Sequence, residues 1–265
     1  MIKHTIYAAG LGLAVVAAPL SAATFVYKGQ DINPGPGAAA PSNPNADAAA
    51  ANFFAALSGT STESFETFAA GTSAPLNLSF TGSAGTLGAT LTGSGNVQNN
   101  PRSAPTGSGQ FATDGSQYYV VDSSDFQITF DSSIAAFGFY ATDLEDLRNI
   151  DIILNLVGGG SETYNLETLF GPPTGTFLQS GSVHFLGFIN TANPFSSVTF
   201  GGAGASGDLL AFDFMTIGDI GQVTNPPGAV PEPATWAMML LGFFGIGLSL
   251  RSRRSRVSGL RVRYT

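Results

Sequence analysis

From Glu63 onward the apolar positions recur every second residue, in short runs separated by clusters of Gly, Ser, Asn and Asp. That period sends alternate side chains to opposite faces of a strand, so each run reads as a β-strand bounded by turns. Strands are predicted at 76–81, 85–92, 118–121, 126–130, 136–142, 151–156, 163–166, 183–189, 197–200 and 210–217. No long helical period intervenes, and no strand–helix–strand alternation is present. The pattern predicts an all-β fold, an antiparallel β-sandwich of jelly-roll type. Phe126, Ile128 and Phe130 give their strand one apolar face. Ile152-Ile153-Leu154 is apolar on both faces, which marks a central strand or one covered by a helix.

The flanks follow different rules. Residues 30–45 are rich in Pro, Gly, Ala and Asn and read as a loop. Residues 47–57 (DAAAANFFAAL) read as a short helix with Asn45 as N-cap and Gly59 as stop, turning Phe53, Phe54 and Leu57 toward the domain. Residues 82–117 carry few large apolar side chains, so mobile loops are expected there, with 96–109 the least ordered. At the N-terminus Lys3 precedes an apolar run, 6–20, that ends in Ser21-Ala22-Ala23. That is the layout of a secretory signal peptide. The division is then 1–23 signal peptide, 24–62 linker and short helix, 63–220 β-sandwich, 221–229 linker, and 230–256 a C-terminal signal.

Charge narrows the set of partners. Residues 24–233 hold eighteen carboxylates against only Lys28, Arg102 and Arg148, a net charge of −15. Such a body repels phosphate backbones and anionic lipid, which excludes nucleic acid as a partner and peripheral membrane attachment of the body. Cysteine is absent, so no disulfide supports the exported domain and its stability rests on its core.

The C-terminus has three parts in order. Pro231-Glu232-Pro233 comes first, then the uncharged segment 234–250, about 25 Å long as a helix and near the minimum for a transmembrane helix. Trp236 stands at its outer boundary. Arg251, Arg253, Arg254 and Arg256 follow as a membrane stop within the Arg-rich tail 251–265. The run Val230-Pro-Glu-Pro-Ala-Thr-Trp-Ala-Met-Met239 resembles the PEP-CTERM sorting signal of Gram-negative bacteria in its PEPxxWAMM form. The resemblance implies that Pro231, Glu232, Pro233 and Trp236 are the motif recognised by an exosortase-type membrane protease, in bacteria that make exopolysaccharide. The body also resembles ectodomains found with such signals, through 137–143, 181–188 and 195–200 followed by 208–218. No catalytic residues come with that likeness.

The body carries little recognisable chemistry. Apart from His4 in the signal peptide, only His184 is present, in an alternating strand opposite Val183 and Phe185, where a polar face is expected. No Gly-x-Ser-x-Gly elbow, phosphate loop or zinc spacing occurs. Asp143, Glu145 and Asp146 form the densest acidic cluster and read as a solvated loop, with calcium or glycan contact as the alternative. Glu63 and Glu66 open the strand region while Asp208 and Asp213 close it. That placement resembles carbohydrate-binding jelly rolls that tie first and last strands with calcium, and makes these four the candidate ligands of a structural ion. Tyr118, Tyr119 and Tyr140 are candidates for stacking on sugar rings.

The expected function is an exported, non-catalytic surface or matrix protein, sorted by its C-terminal signal and associated with exopolysaccharide in a biofilm. Two alternatives stand beside it: a secreted glycosidase or lyase using a carboxylate pair, and a self-associating coat or adhesin.

Overall fold

The computed structural model describes residues 24–32, 42–144, 150–171, 181–201, 209–224, 239–244 and 246. Those up to 224 lie in one unit, Ser21–Pro227, and those from 239 in another. The elements of the first unit are, in chain order, β1 (Phe25–Asp31), α1 (Pro44–Ala55), β2 (Thr62–Glu63), β3 (Leu76–Gly82), β4 (Gly85–Thr92), β5 (Gly95–Asn99), β6 (Gln117–Asp122), β7 (Gln127–Ile134), β8 (Ala136–Thr142), β9 (Asp151–Leu156), β10 (Ser161–Asn165), α2 (Leu166–Phe170), β11 (Val183–Ile189), β12 (Phe195–Gly201) and β13 (Leu209–Gly218). A 3-10 turn, Ile220–Gln222, follows.

The strands form two antiparallel sheets packed face to face, an all-β sandwich. The first runs β1-β11-β8-β13-β6-β5, with β2 pairing β13 beyond the end of β6; the second runs β10-β9-β12-β7-β4-β3. From β6 to β9, and again from β11 to β13, successive strands switch sheets, so β6-β13-β8-β11 lies over β7-β12-β9-β10. The predicted alternation holds in the second sheet. Leu76, Leu78 and Phe80 of β3 and Ile128, Phe130 and Ile134 of β7 are buried while their neighbours are not. Between the sheets Phe126, Phe139, Phe200 and Phe212 meet with ring centroids 4.8–6.3 Å apart. Burial of such side chains, at about 1.5–3 kcal/mol each, is the main source of stability in a domain without disulfides.

The first sheet is covered on both sides, and β8 and β11 are buried at every position. Their outer face carries α1. Phe53 of α1 is fully buried and lies over Gly138 and Gly187, which face each other in register. A Cβ on Gly187 would stand 2.6 Å from the ring, and one on Gly138 2.7 Å. Gly29 of β1 performs the same service for the helix backbone, since a Cβ there would come within 2.2 Å of the Asn45 carbonyl. The doubly apolar strand expected at 151–156 is a different case. As β9 it lies next to the edge of the second sheet, and Ile153 is half-buried on an uncovered face. The helix-covered strands are those whose outward glycines leave room for an aromatic ring.

The helix begins at Pro44, whose fixed φ and missing N–H suit a first turn, so the preceding residue is Asn43 and not Asn45. Asn43 makes no side-chain cap. Asp31, at the end of β1, does this from a distance. Its Oδ1 accepts the Asn45 backbone N–H (3.2 Å) and side-chain amide (2.8 Å), and its Oδ2 accepts the Ala46 N–H (2.8 Å).

Three strands differ from expectation. β1 lies in a segment predicted as linker, yet pairs with β11 along seven residues. β5 falls inside the stretch predicted least ordered, and its one apolar side chain, Val97, is buried. The short β2 pairs with β13. The predicted linker 221–229 also begins later. Gln222 is buried, donates to the carbonyls of Gly59 (2.8 Å) and Thr81 (3.0 Å), and accepts from Asp219 N–H (3.1 Å). Ser58 N–H bonds to Gln222 and Thr224 N–H to Ala56, so the chain is latched to the end of α1 through residue 224.

Candidate functional site

The acids proposed as calcium ligands do other work. Asp213 sits in a bulge of β13, where the register shifts between Asp213 and Thr216 and Phe214 adopts φ 53°. It is fully buried. Its Oδ2 accepts Thr113 N–H (2.7 Å), Thr113 Oγ1–H (2.8 Å) and Asp114 N–H (3.1 Å), and its Oδ1 accepts Phe214 N–H (2.7 Å). Burial pushes its carboxyl up to about 7, against the downward pull of those four bonds. Glu66 holds the rest of the same loop: Oε1 accepts Ser116 N–H (2.7 Å) and Gln117 N–H (2.6 Å), and Oε2 accepts Ser116 Oγ–H (3.2 Å). Gly115 between them has φ +67°, and a Cβ there would meet the Glu66 carboxylate at 2.4 Å. Two acids far apart in sequence, Glu66 and Asp213, therefore fasten residues 113–117.

Glu63 accepts the N–H of Phe65 (2.6 Å) and so supports that residue's φ of 61°; burial raises its carboxyl above the usual range. Asp208 lies outside the described residues, as do Glu145 and Asp146. Among the described residues no group of three acidic or histidine side chains is arranged to hold a metal. The four donors on Asp213 occupy the lone pairs a cation would need. Of the four expected ligands, the described three, Glu63, Glu66 and Asp213, are each committed to backbone amides.

His184 departs from its expected polar face. It is buried in the inter-sheet layer with Leu186 and Phe188, edge-on to Phe170 at 4.9 Å, and its Nδ1 has no hydrogen-bond partner. Burial holds it down to about 3. The reason is topological: β11 lies in the sheet that is covered on both sides. Tyr118, Tyr119 and Tyr140 are also buried, and Tyr140 donates to Asp47 (2.9 Å) under α1, so none offers a ring for stacking on a sugar. Asp143 is buried with φ 60° and accepts from Gln110 (2.9 Å), so it is not a solvated loop acid.

The outer face of the second sheet carries its polar side chains in register. In register across its six strands stand Ser161, Asn155, Ser197, Thr129, Thr90 and Asn77. The next row holds Thr163, Ile153, Thr199, Gln127 and Thr92. Asn155 donates to Ser197 (2.9 Å) and Thr90 to Asn77 (2.9 Å), which holds neighbouring side chains flat along the row. Sequence reasoning treated these residues only as the polar half of the alternation. The signal was there in NLSF, ATLT, QITF, ILNL, SETYN and SSVTF, where each outward position is uncharged and all but Ile153 are polar.

Of the C-terminal signal, Pro231, Glu232, Pro233, Trp236 and the arginines 251, 253, 254 and 256 lie outside the described residues, and so do residues 1–23. Residues 239–244 and 246 are helical, and Met239, Leu240, Leu241, Phe243, Phe244 and Ile246 are exposed at 50–72%. Among the described residues no helix is long and apolar enough to cross a membrane, so the transmembrane helix expected at 234–250 is without support there.

A model of the family described as the PEP-CTERM protein-sorting motif matches residues 229–254. No curated protein matches the chain. Among solved structures it is similar to the K2 cleaved adhesin domain of Lys-gingipain (Kgp), with a TM-score of 0.34 and 13% identity over 60% of this chain and 98% of that one. A likeness of that size implies neither a shared ligand nor a shared activity. The motif match covers Pro231-Glu232-Pro233, the apolar segment 234–250 and the first arginines, and the chain is a protein containing a PEP-CTERM sorting motif.

Proposed function

We propose that this is a non-catalytic protein of the cell surface or extracellular matrix of a Gram-negative bacterium, delivered by its C-terminal signal and retained through exopolysaccharide in a biofilm. The observation that carries it is the sorting motif at 229–254, which implies export and a place in the cell envelope or at the surface. Processing falls to an exosortase-type membrane protease acting at Pro231-Glu232-Pro233, with 234–250 crossing the membrane beforehand and the arginines halting its passage. The strand order β6-β13-β8-β11 over β7-β12-β9-β10 supports a jelly-roll reading of the body. The non-catalytic reading is favoured because Glu66 and Asp213 commit their carboxylates to backbone amides, and His184 is buried with no hydrogen-bond partner on Nδ1.

Fractionation tests this. Cells expressing the wild-type chain should carry it in the envelope or matrix, and Glu232→Ala should leave it in the inner membrane. An unchanged distribution of the variant refutes sorting through the motif.

A further inference from the structure

We propose that the outer face of the second sheet is a docking surface for a neutral polysaccharide, laid along the rows of Ser, Thr and Asn side chains. The inference deepens the matrix reading above and rests on it. Solvated sheet faces are ordinarily built from mixed charged residues that keep a protein soluble. This one is not. The row Ser161, Asn155, Ser197, Thr129, Thr90 and Asn77 runs unbroken across six strands with neither a charge nor an aliphatic side chain. Among the described residues the only cationic side chains are Lys28 and Arg102, neither of which belongs to this sheet.

The geometry suits a polymer. Adjacent strands bring one hydroxyl or carboxamide about every 4.8 Å along a row, and successive rows lie about 6.8 Å apart. An extended sugar chain presents hydroxyl groups at a comparable repeat, each able to donate and accept, as Ser and Thr can. Within the row Asn155–Ser197 and Thr90–Asn77 are already bonded, so those side chains are ordered before any ligand arrives, which lowers the entropic cost of binding. Thr129 and Ser161, exposed like Asn77, make no side-chain hydrogen bond among the described residues.

Charge and area choose the occupant. Asp131, lying over Gly88, and Asp151 border the rows, so an anionic polymer meets only negative charge. A second copy of the chain is a poor fit, because stable protein interfaces have an apolar core and the rows hold one large aliphatic side chain, Ile153.

The test is electrophoresis of the mature protein, purified from exporting cells, through gels containing dextran, a β-glucan or alginate. The expected result is retardation by at least one neutral polymer and none by alginate. Thr129→Val with Thr199→Val keeps shape and strand preference while removing two hydroxyls, and should weaken binding about tenfold. Thr129→Lys should weaken it further, and Asn52→Lys on the exposed side of α1 should leave it unchanged. Retardation of the Val pair equal to wild type overturns the surface while leaving the matrix reading intact. Retardation by alginate alone overturns it too, as does a dimer by light scattering that Thr129→Lys dissociates. Binding to none of the polymers overturns the matrix reading itself.

Discussion

Gly187→Ala tests whether α1 is seated by shape. The substitution is worth examining because two effects of opposite sign compete. Gly187 has no positive φ, so alanine reduces the entropy of the unfolded chain and should stabilise by about 0.4–1 kcal/mol. Against this, the new Cβ would stand 2.6 Å from Cδ2 and 3.0 Å from Cγ of Phe53, where carbon atoms rest at about 3.5–4.0 Å. The ring has nowhere to retreat. It is fully buried, with Tyr27, Phe54 and Phe185 centred 5.5–5.7 Å away, and its helix is tied at the N-terminus by Asp31. Overpacking of this kind costs about 1–3 kcal/mol, so the clash wins and a net loss of about 1–2 kcal/mol is expected. Urea unfolding should show a lower midpoint at unchanged slope, and heating a melting temperature lower by roughly 2–8 °C. Phe53→Leu in the same chain should recover much of the loss, a coupling that adds where two residues do not touch. A Gly187→Ala protein as stable as wild type, or strict additivity with Phe53→Leu, would refute the argument.

Three further outcomes follow from the buried charges and caps. Asp213 keeps its proton up to about pH 7 when folded and only to about 3.8 otherwise, so it lowers stability as pH rises through that window. His184 refuses a proton down to about 3 when folded but accepts one below about 6.5 when unfolded, so it raises stability with pH between those values. The two oppose each other from about pH 4 to 6.5. Asp213→Asn should expose the His184 slope, up to about 1.4 kcal/mol per pH unit, in urea titrations at stepped pH; equal profiles for the two proteins would contradict the assignment. Asp31→Ala removes the acceptor of three hydrogen bonds at the start of α1 and should cost about 1–2 kcal/mol by the same titration, an unmoved midpoint being the contrary result. Excess calcium and a chelator should give the same melting temperature, because Glu63, Glu66 and Asp213 already bond to backbone amides; a rise with calcium would contradict that.

The ten strands predicted from period-two patterning are all present, since alternation is a direct consequence of one buried and one wet face. What escaped the pattern was carried by backbone pairing or by a missing side chain. β5 has only Val97 to announce it and exists because its backbone completes β6. Gly138 and Gly187 carry no side chain to announce a role within their predicted strands, yet they make the seat for Phe53. His184 was assigned to a wet face because its own strand cannot say that α1 covers one side of the sheet and the second sheet the other. Glu63, Glu66 and Asp213 share a region, as their positions suggested, but hydrogen bonds to Phe65, Thr113 and Ser116 account for them. The sorting motif was legible residue by residue because a sorting motif is carried by linear sequence, whereas the rows on the second sheet emerge only when six strands are set in register.

The central claim is that the C-terminal segment is an address removed at Pro231-Glu232-Pro233. Intact mass of the mature protein from exporting cells tests it most directly. The account predicts a species lacking both the N-terminal signal and the apolar segment with its arginine tail, and a heavier species that keeps the tail in Glu232→Ala. A mature wild-type protein that retains residues 234–265, or one of the same mass as the variant, would contradict it.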